Sequence, residues 1–316
     1  MRRARRSLVL VALGTLAVVL AQSWDATATE SPQPRLPIRA AFYYPWFPET
    51  WDQDGFNPFT NYHPSLGFYD SSDPAVIAQN IADMQYGRIE AGIASWWGQG
   101  TPTDGRFPLL LDGAEGTGFR WAVHYEPEGY GDPGVSQIED DLVYIRDHYA
   151  GDPAYLRLRD RFVVFAFTRP NGDDDGCEVA RRWARANEAV GAYIVMRDVR
   201  KGGRCATHPA GWYEYRSGQP EWDVSPDAFS VSPGFWKKGA QPTLGRNLAR
   251  WRRNIRHMMA SCAEFQTIIT FNEWGEGTAV ESAEEWASAS GRGAYLDALH
   301  SVRLHRRDRR MRDCRS

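Results

Sequence analysis

The chain has 316 residues and a formal net charge of −3, with 42% hydrophobic and 24% charged residues. These proportions are typical of a globular protein, so they predict a buried core and exclude wholesale disorder. A mildly acidic chain is a poor candidate for binding a nucleic acid, whose phosphate backbone needs a basic face, so we expect no nucleic-acid partner.

The first 37 residues are predicted to lie outside the folded domain. Four Arg near the start precede an apolar stretch from Leu8 to Ala21, and small residues follow, a pattern typical of a secretory signal peptide over residues 1–28. Residues 29–37, rich in Pro, Ser and Thr, are predicted to form a flexible leader. We therefore expect a secreted protein without stable membrane insertion after cleavage, or a membrane-tethered one if the apolar stretch is retained.

From Ile38 onward, runs of β-forming residues that end in turn residues alternate with helical patterns. This alternation predicts an α/β fold, a single (β/α)₈ TIM-type barrel over residues 38–316. In such a barrel the active-site residues lie on loops after the carboxyl ends of the strands. The eight predicted strands are residues 38–44, 90–97, 119–125, 161–167, 192–198, 211–216, 227–232 and 266–272.

Helices are predicted between these strands. Asp73 and Pro74 begin a helix that runs to about Gly87, because Asp is a good N-cap and Pro fits the first helical position. Residues 199–242 show no helical pattern, so long loops are expected there. Three more helices are predicted at 136–149, 177–190 and 243–262, and a last helical region at 282–310 is interrupted by glycines.

The four cysteines form no CxxC pair, so they do not indicate zinc, and one or two disulfides are expected in an oxidising compartment. Three pairings are possible, and sequence proximity favours Cys177 with Cys205 and Cys262 with Cys314. The chain has no nucleotide-binding, zinc-protease or serine-hydrolase motif. We expect no cofactor and no metal, and we expect the protein to be a monomer.

Two carboxylates lie close together in the stretch TFNEWGEGT at residues 270–278. If the last strand continued through Glu273 and Glu276, their side chains would point to opposite faces. The Asn and the glycines of the stretch indicate instead a sharp turn, which can aim both carboxylates at one pocket. Such a pair supplies the acid and the base of glycoside hydrolysis. The alternative is an exposed loop that caps the next helix.

This stretch, with Glu281 after it, resembles the catalytic segment of glycoside hydrolase family 99, which reads E-W-H-E-G-T-x-x-E in that family. Four other segments resemble the same family in chain order. Together the segments span most of residues 41–281, whereas residues 169–235 do not align. The four segments are YYPW at 43–46, HP to GFYDSSD at 63–73, AGI to SWWG at 91–98 and HYEP at 124–127.

The resemblance implies a (β/α)₈ barrel that cleaves α-mannosidic linkages inside mannose-containing glycans, with retention and without a covalent enzyme intermediate. By position, it makes Glu273 the base that takes the proton of the substrate's 2-hydroxyl, which attacks the anomeric carbon to give a 1,2-anhydro sugar. It makes Glu276 the general acid and then the base. Glu126, in the HYEP segment, would accept a charge-assisted hydrogen bond from a substrate hydroxyl.

One position departs from the family pattern. The family has His between the Trp and the second Glu, whereas this chain has Gly275, so a ring that could bind the sugar or tune its neighbour is missing. Two alternatives therefore stay open: an endo-hydrolase of another α-glycan, such as an α-glucan, and a non-catalytic carbohydrate-binding barrel. The presence of both Glu273 and Glu276 speaks against the second, because binding alone needs neither an acid nor a base.

Aromatic residues are abundant, with 13 Trp, 14 Tyr and 14 Phe, and flat rings suit the C–H face of a sugar. Trp46 and Trp274 follow strands within the matched segments and are predicted to line a cleft. Of Trp96 and Trp97, one is predicted to line the cleft and the other to be core, because adjacent strand residues face opposite sides. The remaining predicted substrate-binding residues are Tyr44, His63 and His124.

Overall fold

The structure, a computed structural model, describes residues 32–169, 176–198, 205–225 and 227–304. The predicted signal peptide at 1–28 lies outside these residues. In the described part of the predicted leader, the side-chain amide of Gln33 donates a hydrogen bond to the carbonyl oxygen of Tyr155 (3.1 Å). The amide oxygen of Gln33 accepts one from the backbone N–H of Arg157 (3.0 Å). This residue of the leader is thus bound to the folded domain.

Eight parallel strands form a nearly closed barrel, which confirms the predicted fold class. They are β1 (Ile38–Tyr43), β2 (Ala91–Trp96), β3 (Arg120–Tyr125), β5 (Arg161–Ala166), β6 (Tyr193–Arg197), β7 (Gly211–Tyr213), β9 (Ala228–Val231) and β10 (Phe265–Ile268). Two short antiparallel strands, β4 (Arg157–Leu158) and β8 (Trp222–Val224), pair with β5 and β9. The order around the barrel is β7-β6-β5-β3-β2-β1-β10-β9. Each predicted strand overlaps one of the eight parallel strands.

The barrel closes between β7 and β9, where no backbone ladder joins the strands within the described residues. Side-chain hydrogen bonds cross this gap instead. The hydroxyl of Ser230 donates to the carbonyl oxygen of Glu214 (2.8 Å), and the backbone N–H of Trp212 donates to the carboxylate of Asp227 (2.8 Å). The eight strands therefore surround one interior.

The strands are buried on both faces, as parallel strands covered by helices are. In β1, Phe42 faces the interior of the barrel, with its ring centroid 6.3 Å from that of Phe165 and 5.5 Å from that of Tyr213. The next residue, Tyr43, faces the helices and packs on Trp121 at 4.9 Å. Adjacent residues of one strand thus belong to two separate apolar clusters, one inside the barrel and one beneath the helices. Moving one residue along the strand therefore moves from one cluster to the other.

The described residues contain seven α-helices. They are α1 (Pro74–Tyr86), α2 (Pro102–Ala114), α3 (Pro127–Gly131), α4 (Val135–His148), α5 (Cys177–Ala186), α6 (Leu248–Ala260) and α7 (Ala294–Ser301), with 3₁₀ turns at Glu49–Trp51 and Glu284–Trp286. Helix α1 begins as predicted, because the carboxylate of Asp73 accepts the N–H of Ala75 (2.8 Å). The described part of residues 199–242 has no helix, as expected. None of these helices has the length and apolar character needed to cross a membrane.

Helices α2, α3, α5 and α6 differ from the sequence prediction, which contains no helix at the position of the short α3. Helix α5 ends before residue 190, because the side chain of Asn187 binds both the N–H and the carbonyl oxygen of Ala192 (2.8 and 2.9 Å) and leads the chain into β6. Helix α6 begins after residue 243, because Asn247 caps it by accepting the N–H of Arg250 (2.8 Å). Helix α2 is missing from the prediction, since Pro108 and two glycines dilute its apolar pattern.

A disulfide joins Cys177, the first residue of α5, to Cys205, with 5.3 Å between the two Cα atoms. This confirms the first predicted pair. The second predicted pair includes Cys314, which lies outside the described residues. The Cys177–Cys205 bond connects α5 to the segment that precedes β7, so it holds a loop region near the carboxyl ends of the strands.

Candidate active site

The two carboxylates of the TFNEWGEGT stretch lie on a closed turn directly after β10. The hydroxyl of Thr270 accepts the N–H of Glu273 (2.9 Å), and the N–H of Thr278 donates to the carbonyl oxygen of Glu273 (3.1 Å). At Gly277 φ is +65°, and a Cβ there would lie 2.8 Å from a neighbouring carbonyl oxygen, so glycine is required. The backbone turns sharply, as the sequence predicts, and Glu273 and Glu276 line one cavity of about 310 Å³.

The loop after β9 lies along this turn. The backbone N–H of Trp236 donates to the carbonyl oxygen of Glu276 (2.9 Å), and the N–H of Lys238 donates to the carbonyl oxygen of Gly275 (2.9 Å). These two bonds hold the loop and the turn side by side. They also place Lys237, between the two donors, close enough to Glu276 for its charge to act on that carboxyl.

The carboxyl of Glu273 is buried and held by the backbone. Its residue is 6% exposed, and Oε1 accepts the N–H of Glu276 (3.2 Å). Burial raises the pKa of Glu273 well above its usual range, and the neighbouring charge of Glu276 adds to the rise, against the backbone N–H groups of Glu276 and Gly275. A raised pKa makes the carboxylate a stronger base, and the backbone bonds fix its direction.

The carboxyl of Glu276 is freer. It accepts no hydrogen bond from any residue that the structure describes, so both of its oxygens are available to a ligand in the cavity. Burial raises the pKa of Glu276, and three cations oppose the rise: Lys237, then Arg169 and Arg197. The raised pKa favours the protonated form, which a general acid needs.

A third carboxylate, that of Glu126, lines the same cavity just after β3. The hydroxyl of Ser95 donates to its Oε1 (3.1 Å), and Nδ1 of His124 lies 3.0 Å from the same oxygen. His124 is 1% exposed, and its Nε2 is 2.8 Å from the hydroxyl of Tyr213. His124 therefore lies behind Glu126 and does not line the cavity. The structure thus places the ring of His124 in the interior of the barrel, where it contacts Glu126 and Tyr213.

Three predicted aromatic residues line the cavity: Tyr44, Trp46 and Trp97. The rings of Tyr44 and Trp46 are stacked, with centroids 4.4 Å apart, and the hydroxyl of Tyr44 is 2.6 Å from that of Tyr215. The indole N–H of Trp97 donates to the hydroxyl of Ser95 (3.0 Å), which in turn donates to Glu126. The aromatic wall is thus connected to the third carboxylate by hydrogen bonds.

Two of the tryptophans considered for the cleft, Trp96 and Trp274, lie in the core. Trp96 is fully buried on the helix side of the barrel, and its indole N–H donates to Asp104 (2.7 Å). Of the adjacent pair, Trp97 is therefore the cavity residue and Trp96 the core residue. Trp274 is also fully buried, because the turn directs its ring outward to stack on Trp286, with centroids 6.0 Å apart. The prediction that Trp274 lines the cleft is wrong.

His63 also lies away from the cavity. Its side chain is 65% exposed, and Nδ1 is 2.8 Å from the carboxylate of Glu285, whose hydrogen bond and charge raise the pKa of His63. Both residues lie on the protein surface, and His63 does not line the cavity of the glutamates. The structure thus does not bring His63 together with the glutamates, because its ring pairs with Glu285 outside the cavity.

Several cavity residues escaped the sequence prediction. Phe167 and Arg169 follow β5, Arg197 ends β6, and Tyr215 follows β7. All four lie between the HYEP segment and the TFNEWGEGT stretch, and three of them lie within residues 169–235, where no segment aligns. Their position after strand ends was the one available signal, because barrel active sites use such loops. The other cavity residues that were not predicted are Tyr130, Ser217 and Phe235.

Glu281 is a fourth carboxyl near the site, and it faces away from the cavity. It is 1% exposed and accepts hydrogen bonds from the hydroxyl of Tyr69 (2.8 Å) and the indole N–H of Trp274 (3.0 Å). Burial raises the pKa of Glu281 to about 8. The hydroxyl of Tyr69 also accepts from the amide of Asn272 (3.2 Å), which binds both backbone groups of Tyr44. Glu281 thus supports the turn from behind.

A larger cavity, of about 760 Å³, lies at the opposite end of the barrel. It is lined by Arg39 and Gln266, which are paired across the amino ends of β1 and β10, and by residues of the leader. In barrels of this kind the amino ends of the strands serve stability, whereas chemistry occurs at the carboxyl ends. The smaller cavity, with three carboxylates, is therefore the candidate active site.

The chain is similar to proteins of one family. A sequence model described as "Glycosyl hydrolase family 99" matches residues 40–193. Two proteins described as "Glycoprotein endo-alpha-1,2-mannosidase" are each 23% identical to the chain: that of Xenopus laevis over 264 residues (71% of this chain, 58% of the relative) and that of Mus musculus over 287 residues (75% and 60%). The chain thus spans about three fifths of the length of these curated relatives.

Solved structures of low sequence identity share the fold. The GH99 endo-alpha-mannosidase from Bacteroides thetaiotaomicron, in complex with BIS-TRIS-Propane, has a TM-score of 0.67 at 20% identity, over 89% of this chain and 99% of that chain. A glycoside hydrolase-like protein has a TM-score of 0.58 at 13% identity, over 87% of this chain and 96% of that chain. At these identities the likeness concerns the barrel alone.

Proposed function

Because the chain belongs to glycosyl hydrolase family 99, we propose that it is a secreted, retaining hydrolase that cleaves α-mannosidic linkages inside mannose-containing glycans. The names of its curated relatives, endo-alpha-1,2-mannosidases, support this choice of linkage. The observation that carries the proposal is the single cavity lined by Glu273, Glu276 and Glu126. Two carboxyl groups perform the chemistry of glycoside hydrolysis, and the third is free to bind the sugar.

In the first step, Glu273 takes the proton of the 2-hydroxyl of the mannose residue in the cavity. The oxygen so freed attacks the anomeric carbon, the bond from that carbon to the glycosidic oxygen breaks, and a 1,2-anhydro sugar forms. Glu276 gives its proton to the departing oxygen. The burial of Glu273 supports its role, because burial raises its pKa and so strengthens the base. The raised pKa of Glu276 supports its role as the acid.

In the second step, a water molecule attacks the anomeric carbon and Glu276, now ionised, takes a proton from it. The bond between the anomeric carbon and O2 breaks, and O2 regains its proton from Glu273. Two inversions at one carbon give net retention, and both carboxyls return to their starting states. The unpartnered carboxyl of Glu276 supports this double role, since no hydrogen bond from a described residue competes with substrate or water.

The remaining cavity residues are proposed to bind the glycan. The carboxylate of Glu126 accepts a hydrogen bond from a sugar hydroxyl, while Ser95 and His124 keep it oriented. Trp46 and Trp97 offer flat faces to sugar rings, and Tyr44 offers its hydroxyl. The cavity is polar and aromatic at once, which suits a pyranose with its hydroxyl edge and C–H face.

We also propose that residues 1–28 act as a signal peptide, that residues 38–316 form the catalytic domain, and that the exported protein acts on oligosaccharides or polysaccharides as a monomer. The Cys177–Cys205 disulfide supports export, because disulfides form and persist in oxidising compartments. If the N-terminal segment is retained, it would tether the enzyme to the membrane.

The test is hydrolysis of α-linked mannose and glucose oligosaccharides, with NMR of the first-formed anomer. We expect internal cleavage of α-mannosides with retention, and a loss of about 10²–10⁴-fold in kcat for Glu273→Gln and for Glu276→Gln. Glu115→Gln, on the surface, is the matched control. A 2-deoxy mannoside should bind but turn over very slowly, because it lacks the nucleophile.

Other outcomes would replace this proposal. Cleavage of α-glucans alone would change the linkage, and binding of glycans without cleavage would favour a carbohydrate-binding barrel. Undiminished cleavage by either Gln variant would refute the role given to that residue. Normal turnover of the 2-deoxy substrate would indicate a nucleophile supplied by the protein.

A further inference from the structure

Two arginines line the same cavity as the three carboxylates. Arg169 follows β5 and Arg197 is the last residue of β6, so both lie at the carboxyl ends of strands. Neither forms an ion pair with a carboxylate in the part of the chain that the structure describes; their contacts are with aromatic rings and backbone carbonyls. The two reaction steps above use neither residue, so the arginines call for a separate explanation.

The guanidinium of Arg197 is held in a fixed place by neutral groups. It donates to the carbonyl oxygens of Thr168 and Tyr215 (3.3 Å each), and its carbon lies 4.7 Å from the centroid of the Phe167 ring. Its buried Nε has no hydrogen-bond partner among the described residues. These contacts orient the guanidinium of Arg197 without neutralising its charge. The guanidinium is therefore preorganised to bind an anion.

Arg169 provides a second, more exposed positive group. Its guanidinium carbon lies 3.8 Å from the centroid of the Tyr130 ring and 5.7 Å from that of Phe167. The ring of Phe167 is thus within cation–π distance of both arginines. Stacking on these rings uses the faces of a guanidinium and leaves its edge N–H groups free to donate.

The two positive charges act against the proposed general acid. With Lys237, they favour the ionised form of Glu276 and so oppose the effect of burial on its pKa. A neutral glycan leaves this opposition in place. A glycan with a negative group beside the arginines would offset their charges and thereby favour the protonated acid when substrate is bound.

We propose that Arg169 and Arg197 form a subsite for an anionic substituent of the glycan, a carboxylate, a phosphate or a sulfate. This inference rests on the proposed function, which identifies the mannose-containing glycan that would carry the anion. Guanidinium groups donate two parallel hydrogen bonds to such oxyanions. The hydroxyls of a neutral sugar, in contrast, can be bound by uncharged groups and do not require two arginines. The rival explanation is that the arginines only balance the charges of Glu126, Glu273 and Glu276.

The experiment measures binding to ligands that are too short to be cleaved internally. The probes are methyl α-mannoside, its 6-phosphate, its 6-sulfate and the corresponding 6-carboxylate, titrated into the wild-type protein by NMR at low salt. We expect at least one anionic probe to bind about tenfold or more tightly than the neutral one, and the preference to shrink as salt rises. The three anionic probes distinguish which oxyanion fits.

The variants separate the two explanations. Arg197→Gln and Arg169→Gln should abolish the anionic preference while changing the affinity for neutral methyl α-mannoside less than about threefold. Arg252→Gln, on the exposed face of α6, is the matched control and should keep the preference. Equal losses for neutral and anionic probes, or no anionic preference in wild type, would overturn the inference. The ratio of the affinities for anionic and neutral probes is measured without hydrolysis. A protein that cleaves no α-mannan would therefore refute the proposed function, and the affinity ratio would still decide whether the anionic subsite exists.

Discussion

The ring of Phe59 lies against Gly275, in the space that any side chain at position 275 would need. A Cβ on Gly275 would lie 2.5 and 2.6 Å from two ring carbons of Phe59 and 3.2 Å from Oε1 of Glu273. Phe59 is only 5% exposed, and Nζ of Lys237 lies 5.8 Å from the centroid of its ring. The position at which this chain departs from the family segment is thus filled from another loop, beside the proposed base.

Gly275→Ala should therefore impair both folding and catalysis. The added methyl overpacks the contact with Phe59, which we expect to lower the free energy of unfolding by about 1–3 kcal/mol. It also crowds the carboxylate of Glu273, so kcat should fall more than KM rises. Thermal melts and steady-state kinetics on an α-mannan measure the two effects.

Phe59→Ala in the same chain should restore part of the lost activity, because it removes the ring that the new methyl meets. Gly275→His, which introduces the family residue, should likewise be tolerated only together with Phe59→Ala. Gly245→Ala is the control, since a Cβ there meets no atom within 4 Å. Additive losses in the double variant, or a fully active Gly275→Ala, would contradict a coupled pair.

Much of the fold follows from local patterns. The β-rich runs and the turn residues after them locate all eight barrel strands, because each strand is buried on both faces and is apolar along its length. Helix boundaries follow less well: Asn187 ends α5 through its side-chain bonds to Ala192, a contact that periodicity does not reveal. Helix α2 is hidden by its own Gly and Pro residues.

The site is less predictable than the fold. The sharp turn between Glu273 and Glu276 follows from its glycines, but which tryptophan faces the cavity depends on the residue at which a strand ends. Trp274 and Trp97 illustrate this, since one is directed outward by the turn and the other inward by the end of β2. Arg197 lies in residues 169–235, where no segment aligns with the family. Its position at the end of a strand was therefore the one sequence feature that could have indicated a place in the cavity.

Trp97→Ala should weaken substrate binding, because Trp97 lines the cavity and its neighbour Trp96 does not. We expect KM to rise about 5–10-fold, as for the loss of one aromatic contact of roughly 1 kcal/mol, with little change in thermal stability. Trp96→Phe is the matched control: it removes the indole N–H donor to Asp104, so it should lower the melting temperature and leave KM unchanged. If instead Trp96→Phe raised KM and Trp97→Ala lowered only the melting temperature, Trp96 would be the cavity residue and Trp97 the core residue.

Glu126→Gln should lower kcat/KM while the protein stays folded. The amide keeps the shape of the carboxylate but loses its charge, and a hydrogen bond to a charged group contributes about 1.5–3 kcal/mol, so a loss of roughly 10–100-fold is expected. Steady-state kinetics and binding of a non-cleaved mannoside measure it. Ser95→Ala, which removes one donor to Glu126, should give a smaller loss of the same kind. Unchanged affinity in Glu126→Gln would exclude contact between this residue and the sugar.

Glu281→Gln should change how stability depends on pH. Burial raises the pKa of Glu281 from its usual value of 4.5 to about 8 in the folded state. The folded protein therefore binds this proton more tightly than the unfolded chain does, and the stability that this provides is complete below about pH 4.5 and is lost as pH rises toward 8.

The amide variant lacks this titration, and its carbonyl oxygen can still accept from Tyr69 and Trp274. The free energy of unfolding of wild type should thus fall relative to Glu281→Gln between about pH 5 and pH 8, by at most about 1.4 kcal/mol per pH unit. Chemical denaturation at a series of pH values measures the difference, with exposed Glu284→Gln as the control. A difference that stays constant over this range would show that Glu281 is ionised in the folded protein, and the turn that carries Glu273 and Glu276 would then rest on a buried charge.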